Sequence, residues 1–151
     1  MSAPASEIAW IGLDVPVEIL AAVGTPFRLD ADAGAPSQEA AVFGEGGGHP
    51  WMRAVTGSLL GRTPRPDRLV IGSTPVTGVW LYNFLITLQL SKGAPALPDL
   101  ELVNLSHGIR PSSARFNAAS FGRLAARLGA AQEAIRSAIA ERNAVRAMQR
   151  R

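Results

Sequence analysis

The chain predicts an α/β domain, a Rossmann-like three-layer unit with a four-stranded, mainly parallel sheet and a helical C-terminal end. Three observations carry this expectation. Short apolar runs alternate with longer segments of helical periodicity, the order that builds parallel sheets through helical crossovers. Pro, Gly and acidic residues stand where one type of segment hands over to the next. With 151 residues, 47% of them hydrophobic, the chain can bury one core and has little room for two.

Residues 7 to 13, "EIAWIGL", form the first strand. Asp14, Pro16 and Glu18 then start a short helix with an acid in its first turn, and the helix runs to about Val23. Gly24 is expected to supply a left-handed stop, with Pro26 preventing continuation. "PFRLD", residues 26 to 30, is the second strand. Residues 31 to 48 mix Ala, Gly, Pro, Ser and acids and end in "GEGGGHP", which reads as a flexible Gly-rich loop.

His49 and Pro50 introduce a helix in which Trp51, Val55, Leu59 and Leu60 recur at helical spacing, closed by Gly61. "RTPRPD" leads into the third strand, "RLVIG". After the turn "STPVTG", Val79 and Trp80 open a helix whose bulky apolar residues, "VWLYNFLITLQL", point to burial on nearly every side. The fourth strand is "LELVNL", residues 100 to 105. Pro111 starts a helix expected to pack Phe116, Leu124 and Leu128 and to stop at Gly129. The last helix, Ala130 to about Met148, sets Ile135, Ala138, Ile139 and Val145 on one stripe, with Arg136, Arg142 and Arg146 largely off it.

The chain contains no Cys, which excludes disulfides, thiol catalysis, Cys-ligated zinc and thiolate-held iron-sulfur clusters for this chain acting alone. Met1 to Trp10 lack the basic and apolar regions of a secretion signal. No segment has the ~20 apolar residues of a membrane span, so a cytoplasmic location without membrane association is expected. The formal charge of +3 is uneven: residues 101–151 hold nine Arg and three acids. A basic helical end suits nucleic acid, an acidic partner or cofactor phosphates, but its simplest reading is a solvated face, and nucleic acid is not the expected partner.

In an open parallel sheet, ligands bind beyond the carboxyl ends of the strands. The segments to compare are Asp14 to Glu18, Ser73 to Gly78 and Ser106 to Arg110. Together they hold Ser, His and acid, but no GxSxG elbow, so a Ser hydrolase is not expected. "GEGGG" lacks the Gly-Lys-Ser/Thr ending of a phosphate loop. His49 and His107 without a spaced carboxylate read as surface or capping residues, and no metal site is expected. Trp80, Tyr82 and Phe84 fall on different helix faces and read as core or interface.

Four segments in order carry a resemblance. They are "VPVEILAAVGTPFRL" (15–29), "HPWMRAVTGSLLG" (49–61), "PDRLVIGSTPVTGVWLYNFL" (66–85) and "EAIRSAIAERNAVRAMQRR", with Ala138, Ile139, Asn143 and Arg146 at the relevant spacing. Together they resemble the N-terminal domain of the 2-hydroxyacyl-CoA dehydratase D-component family, which includes benzoyl-CoA reductase subunits. The resemblance implies a Rossmann-like first domain that, in the family, shares an iron-sulfur cluster. It places His49 and Pro75 where the family has cluster cysteines, Thr74, Pro75 and Val76 standing for a Thr-Cys-Asp turn. By the same likeness Glu18 is the candidate catalytic acid, and Arg53, Ser73, Thr74 and Thr77 are candidate substrate or phosphate contacts. Glu18 also reads as a dipole-favoured first-turn acid, and Arg53 as a salt-bridging helix residue.

The resemblance further implies an accessory, cluster-free subunit that binds a sister dehydratase-type subunit, or a second copy, and an acyl-CoA. Two alternatives stay open: a dehydratase half whose cluster comes from a partner, and a small nucleotide- or nucleic-acid-binding α/β domain.

Overall fold

The computed structural model describes residues 6–30, 49–93 and 95–150; the loop expected over 31–48 lies outside them. Nine elements follow in chain order: β1 (Glu7–Ile11), α1 (Val17–Ala21), β2 (Thr25–Arg28), α2 (Pro50–Gly61), β3 (Arg68–Gly72), α3 (Thr77–Gln89), β4 (Asp99–Val103), α4 (Pro111–Leu128) and α5 (Gln132–Gln149). The four strands form one sheet in the order β2-β1-β3-β4. Every pairing is parallel, with Ala9 opposite Phe27 and Leu69, and Ile71 opposite Leu102.

Two apolar layers enclose the sheet. On one face, Met52, Val55 and Leu59 of α2 and Leu81 and Leu85 of α3 pack on Ala9, Ile11, Leu69 and Ile71. On the other, Ile19 and Leu20 of α1 and Leu124 and Leu128 of α4 pack on Ile8, Val70 and Val103, with Ile135 of α5 against the same cluster. Val70 and Ile71 therefore serve opposite layers, as the two-residue repeat of a strand buried on both faces requires. This is the expected α/β three-layer arrangement, with the sheet wholly parallel.

Several details differ from expectation. β1 ends at Ile11 because Gly12 turns the chain at φ 109°. Gly24 is not left-handed; among the described residues only Gly12, Gly93 and Gly129 have positive φ. What Gly24 satisfies is close approach, since a Cβ there would lie 2.3 Å from the Ser6 carbonyl oxygen. Gly129 is the left-handed stop of α4, at φ 71°, and Pro111 starts that helix.

α3 begins at Thr77, ahead of Val79, and buries one stripe, Gly78, Leu81, Leu85 and Leu88, instead of nearly all faces. Trp80 is 53% exposed, while Tyr82 and Phe84 pack against the core. The apolar count of the helix exceeds what one sheet face can cover. Phe116 likewise stays exposed while Leu124 and Leu128 are buried; in the first turns of α4 it is Ser113 and not Phe116 that turns inward. α5 buries only Ala138 fully and leaves Ile139 and Val145 exposed, since it meets the domain mainly along α1, with Ile135 against the layer beneath.

Close backbone packing gives a sharp prediction. A Cβ on Gly78 would lie 2.1 Å from the Gly72 carbonyl oxygen, whereas one on Gly122 of α4 meets nothing within 4 Å. Gly78→Ala should cost about 3 kcal/mol or abolish folding, and Gly122→Ala should gain about 0.5–1 kcal/mol from helix propensity. Urea midpoints of the two variants check both signs.

Candidate functional site at the carboxyl edge of the sheet

From β1 the chain moves to β2 on one side, then crosses to β3 and β4 on the other. The reversal lies between the carboxyl ends of β1 and β3, where open α/β sheets form a crevice. Glycines bring the two strand ends together: a Cβ on Gly12 would sit 2.9 Å from Gly72 Cα. Leu13 N–H donates to the Thr74 carbonyl at 2.9 Å, and Ser73 N–H donates to the Val103 carbonyl at 2.9 Å. Ser73 Oγ accepts from Leu105 N–H at 3.3 Å. The turn after β3 is thus fastened to the ends of both neighbouring strands, and its Thr74–Pro75 peptide is cis.

A cleft of about 350 Å³ opens beside this turn, lined by His49, Trp51, Pro75, Thr77, Arg28 and Leu13 among others. His49 and Pro75, which follow different strands, therefore share one cleft. His49 also caps α2: its Nδ1 accepts from Trp51 N–H at 3.2 Å, the capping role expected of it. Three apolar side chains stand exposed on the same loops and the start of α3: Leu13 at 73%, Val76 at 58% and Trp80 at 53%.

On the other side of the turn, His107 reaches back from the loop after β4. Its Nε2 lies 2.7 Å from Thr74 Oγ1 and 3.2 Å from Asp14 Oδ2. A hydroxyl-His-acid relay uses both ring nitrogens in series. Here one nitrogen faces both partners, so the group ties three loops together and is not a nucleophile-activating triad. Neighbouring polar contacts hold the loop: Ser106 N–H donates to Asn117 Oδ1 at 2.8 Å, Asn117 Nδ2 donates back to the Ser106 carbonyl at 2.9 Å, and Ser106 Oγ donates to Ser113 Oγ at 3.0 Å.

The structure thus gathers five of the sequence-derived candidates, His49, Ser73, Thr74, Pro75 and Thr77, at one edge. Glu18 and Arg53 are elsewhere. Arg53 is exposed on α2. Glu18 projects from α1 toward α5, where Oε1 accepts from Arg146 and lies 3.6 Å from Arg142 Nε. Burial on its own would raise the Glu18 carboxyl, but a hydrogen bond from the backbone together with Arg146 and Arg142 holds it below the ordinary glutamate value.

Sequence reasoning set the loops after β1, β3 and β4 side by side but did not anticipate that His107 would reach both Asp14 and Thr74. The available signal was that each lies shortly after the carboxyl end of its strand. An iron-sulfur cluster does not fit the observed edge: Pro75 offers no donor atom, and His49 Nδ1 is already engaged by Trp51 N–H. Among the described residues, no three His, Asp or Glu side chains gather as metal ligands. No described helix is long and apolar enough to cross a membrane.

Compared with protein-family models, with curated proteins and with solved structures, the chain matches none.

The arginine pair on Glu18 predicts an acid-sensitive joint. The carboxyl lies lower in the folded chain than in the unfolded one. Its contribution is therefore fully present above the ordinary glutamate value and is lost as pH falls through the lower folded one. Glu18→Gln should cost about 1 kcal/mol near neutrality, a charge-assisted bond discounted for half-exposed arginines. It should also flatten the fall in urea midpoint between neutral and acid pH, as denaturation at several pH values will show.

Proposed function

We propose that this chain is a cluster-free, accessory subunit of the 2-hydroxyacyl-CoA dehydratase type. It binds a partner subunit and a CoA thioester at the carboxyl edge of its sheet, without performing radical chemistry itself. The observation that carries this reading is the shared cleft of His49 and Pro75. In the resemblance these are the two first-domain cluster positions, and two ligands of one cluster must face one space. Their side chains supply no thiolate, so the space is available to a ligand held by shape and hydrogen bonds.

Arg28 lines the same cleft beside Asp30, its ion-pair partner at 3.3 Å, so a phosphate or carboxylate bound there would compete with Asp30 for the guanidinium. The exposed Leu13, Val76 and Trp80 alongside supply apolar surface of the kind that partner chains cover. Glu18, clamped between Arg142 and Arg146, supports a role in holding α5 better than a role in proton transfer. The same clamp occupies two cations of α5, which leaves nucleic acid the less favoured ligand.

Trp51 in the cleft provides a direct readout. Titrating the full chain with a short-chain 2-hydroxyacyl-CoA should quench its fluorescence at micromolar ligand, and Arg28→Ala should weaken that binding about tenfold, the value of one charge-assisted contact. Anaerobic capture of the tagged chain should recover a Cys-bearing dehydratase-type subunit that carries the iron. Absence of both thioester binding and such a partner would overturn the reading. Iron-dependent dehydration that collapses with Glu18→Gln would instead establish a catalytic half.

A further inference from the structure

We infer that the open edge of β4 is a self-association surface, where a second copy of this chain adds its own β4 antiparallel and joins the two sheets into one. This inference is independent of the thioester reading. β4 ends the sheet, and among the described residues no strand lies beyond it. Asp99 N–H donates to the Asp67 carbonyl, and the Val103 carbonyl accepts from Ser73 N–H, so both residues turn their backbone groups toward β3. Successive strand residues alternate, so Leu100 and Leu102 turn theirs to the open side. A groove of about 400 Å³ follows this edge, with Ile86 and Gln89 of α3 on one side, Arg127 of α4 on the other, and Leu100 and Glu101 between. Both helical layers border the groove, and neither closes over the strand.

A second copy fits because the strand is self-complementary. Glu101 is the middle residue of β4, Asp99–Val103. With a two-fold axis at Glu101, Leu100 of each copy faces Leu102 of the other, and each such pair exchanges two N–H···O bonds. On the α3 face this register covers Leu102, which a single copy leaves only partly buried, with the partner's leucine. On the α4 face the two Glu101 carboxylates come opposite each other, a repulsive pairing unless cations accompany them. Arg127 supplies them: its Nε lies 3.0 Å from Glu101 Oε1, and its side chain is 68% exposed on that side. The axis therefore carries two carboxylates and two guanidiniums. Pro98, just before β4, has no N–H to offer, which disfavours an axis shifted to Leu100.

Light scattering on the full chain at up to ~100 μM should give twice the chain mass. Leu102→Pro deletes an outward N–H without touching the ladder to β3 and should abolish the dimer, whereas Leu102→Ala, which keeps that N–H, should retain it. Arg127→Ala should weaken the dimer about fivefold. Because the chain has no Cys, Glu101→Cys places one thiol per copy at the axis, and mild oxidation should yield a covalent dimer. Ser137→Cys, on the exposed side of α5, should not. Far-UV circular dichroism will verify that the variants are folded. A monomer throughout the concentration range, a dimer that survives in folded Leu102→Pro, or equal cross-linking of the two cysteine variants would overturn the assignment.

Discussion

The carboxyl edge depends on backbone touching backbone at three glycines. Gly12, Gly72 and Gly78 come so close that a Cβ on either of the outer two would collide with Gly72 at 2.9 or 2.1 Å. No side chain other than hydrogen satisfies such contacts, and Gly12 also needs its φ of 109°. Because the three meet, Leu13 reaches the Thr74 carbonyl, and α3 starts hard against the end of β3. Asp14 and Thr74 then stand close enough for one histidine to bridge them. The edge is therefore set by steric exclusion first and by polar contacts second.

The clamp between α1 and α5 obeys a different logic. α5 lies outside the main layers and meets the domain along α1, where Ala138 is its single fully buried side chain. So little apolar area gives weak docking. Glu18 with Arg142 and Arg146 provides direction as well as attraction, since two arginines one helical turn apart meet one carboxylate only in a single register.

What was legible in the sequence was whatever rests on local pattern. β3 was bounded correctly because "RLVIG" is apolar with a Pro-rich approach and a Gly exit. α4 was framed by Pro111 and Gly129, whose backbone limits act on their own residues. Tertiary demands were not legible. Gly24 looked like a helix stop and serves close packing on Ser6. The apolar residues of α3 suggested full burial, but how much sheet faces a helix depends on neighbours that local periodicity does not encode. At the site, loops after three strands could be named as candidates. That one histidine would span two of them depended on side-chain reach and strand twist.

The turn after β3 is held by its own hydrogen bonds. Where a metal cluster organises a loop, ligand bonds supply much of the local folding energy. Here the work is done by Ser73 N–H on Val103, Leu13 N–H on Thr74, Gly78 N–H on Pro75 and Leu105 N–H on Ser73 Oγ. These contacts pair the turn with both flanking strand ends and with its own helix, so its shape requires no metal. The cleft beside it is bounded by this hydrogen-bonded turn, so the Arg28–Asp30 ion pair, Thr77 and Trp51 that line it are set against a fixed wall.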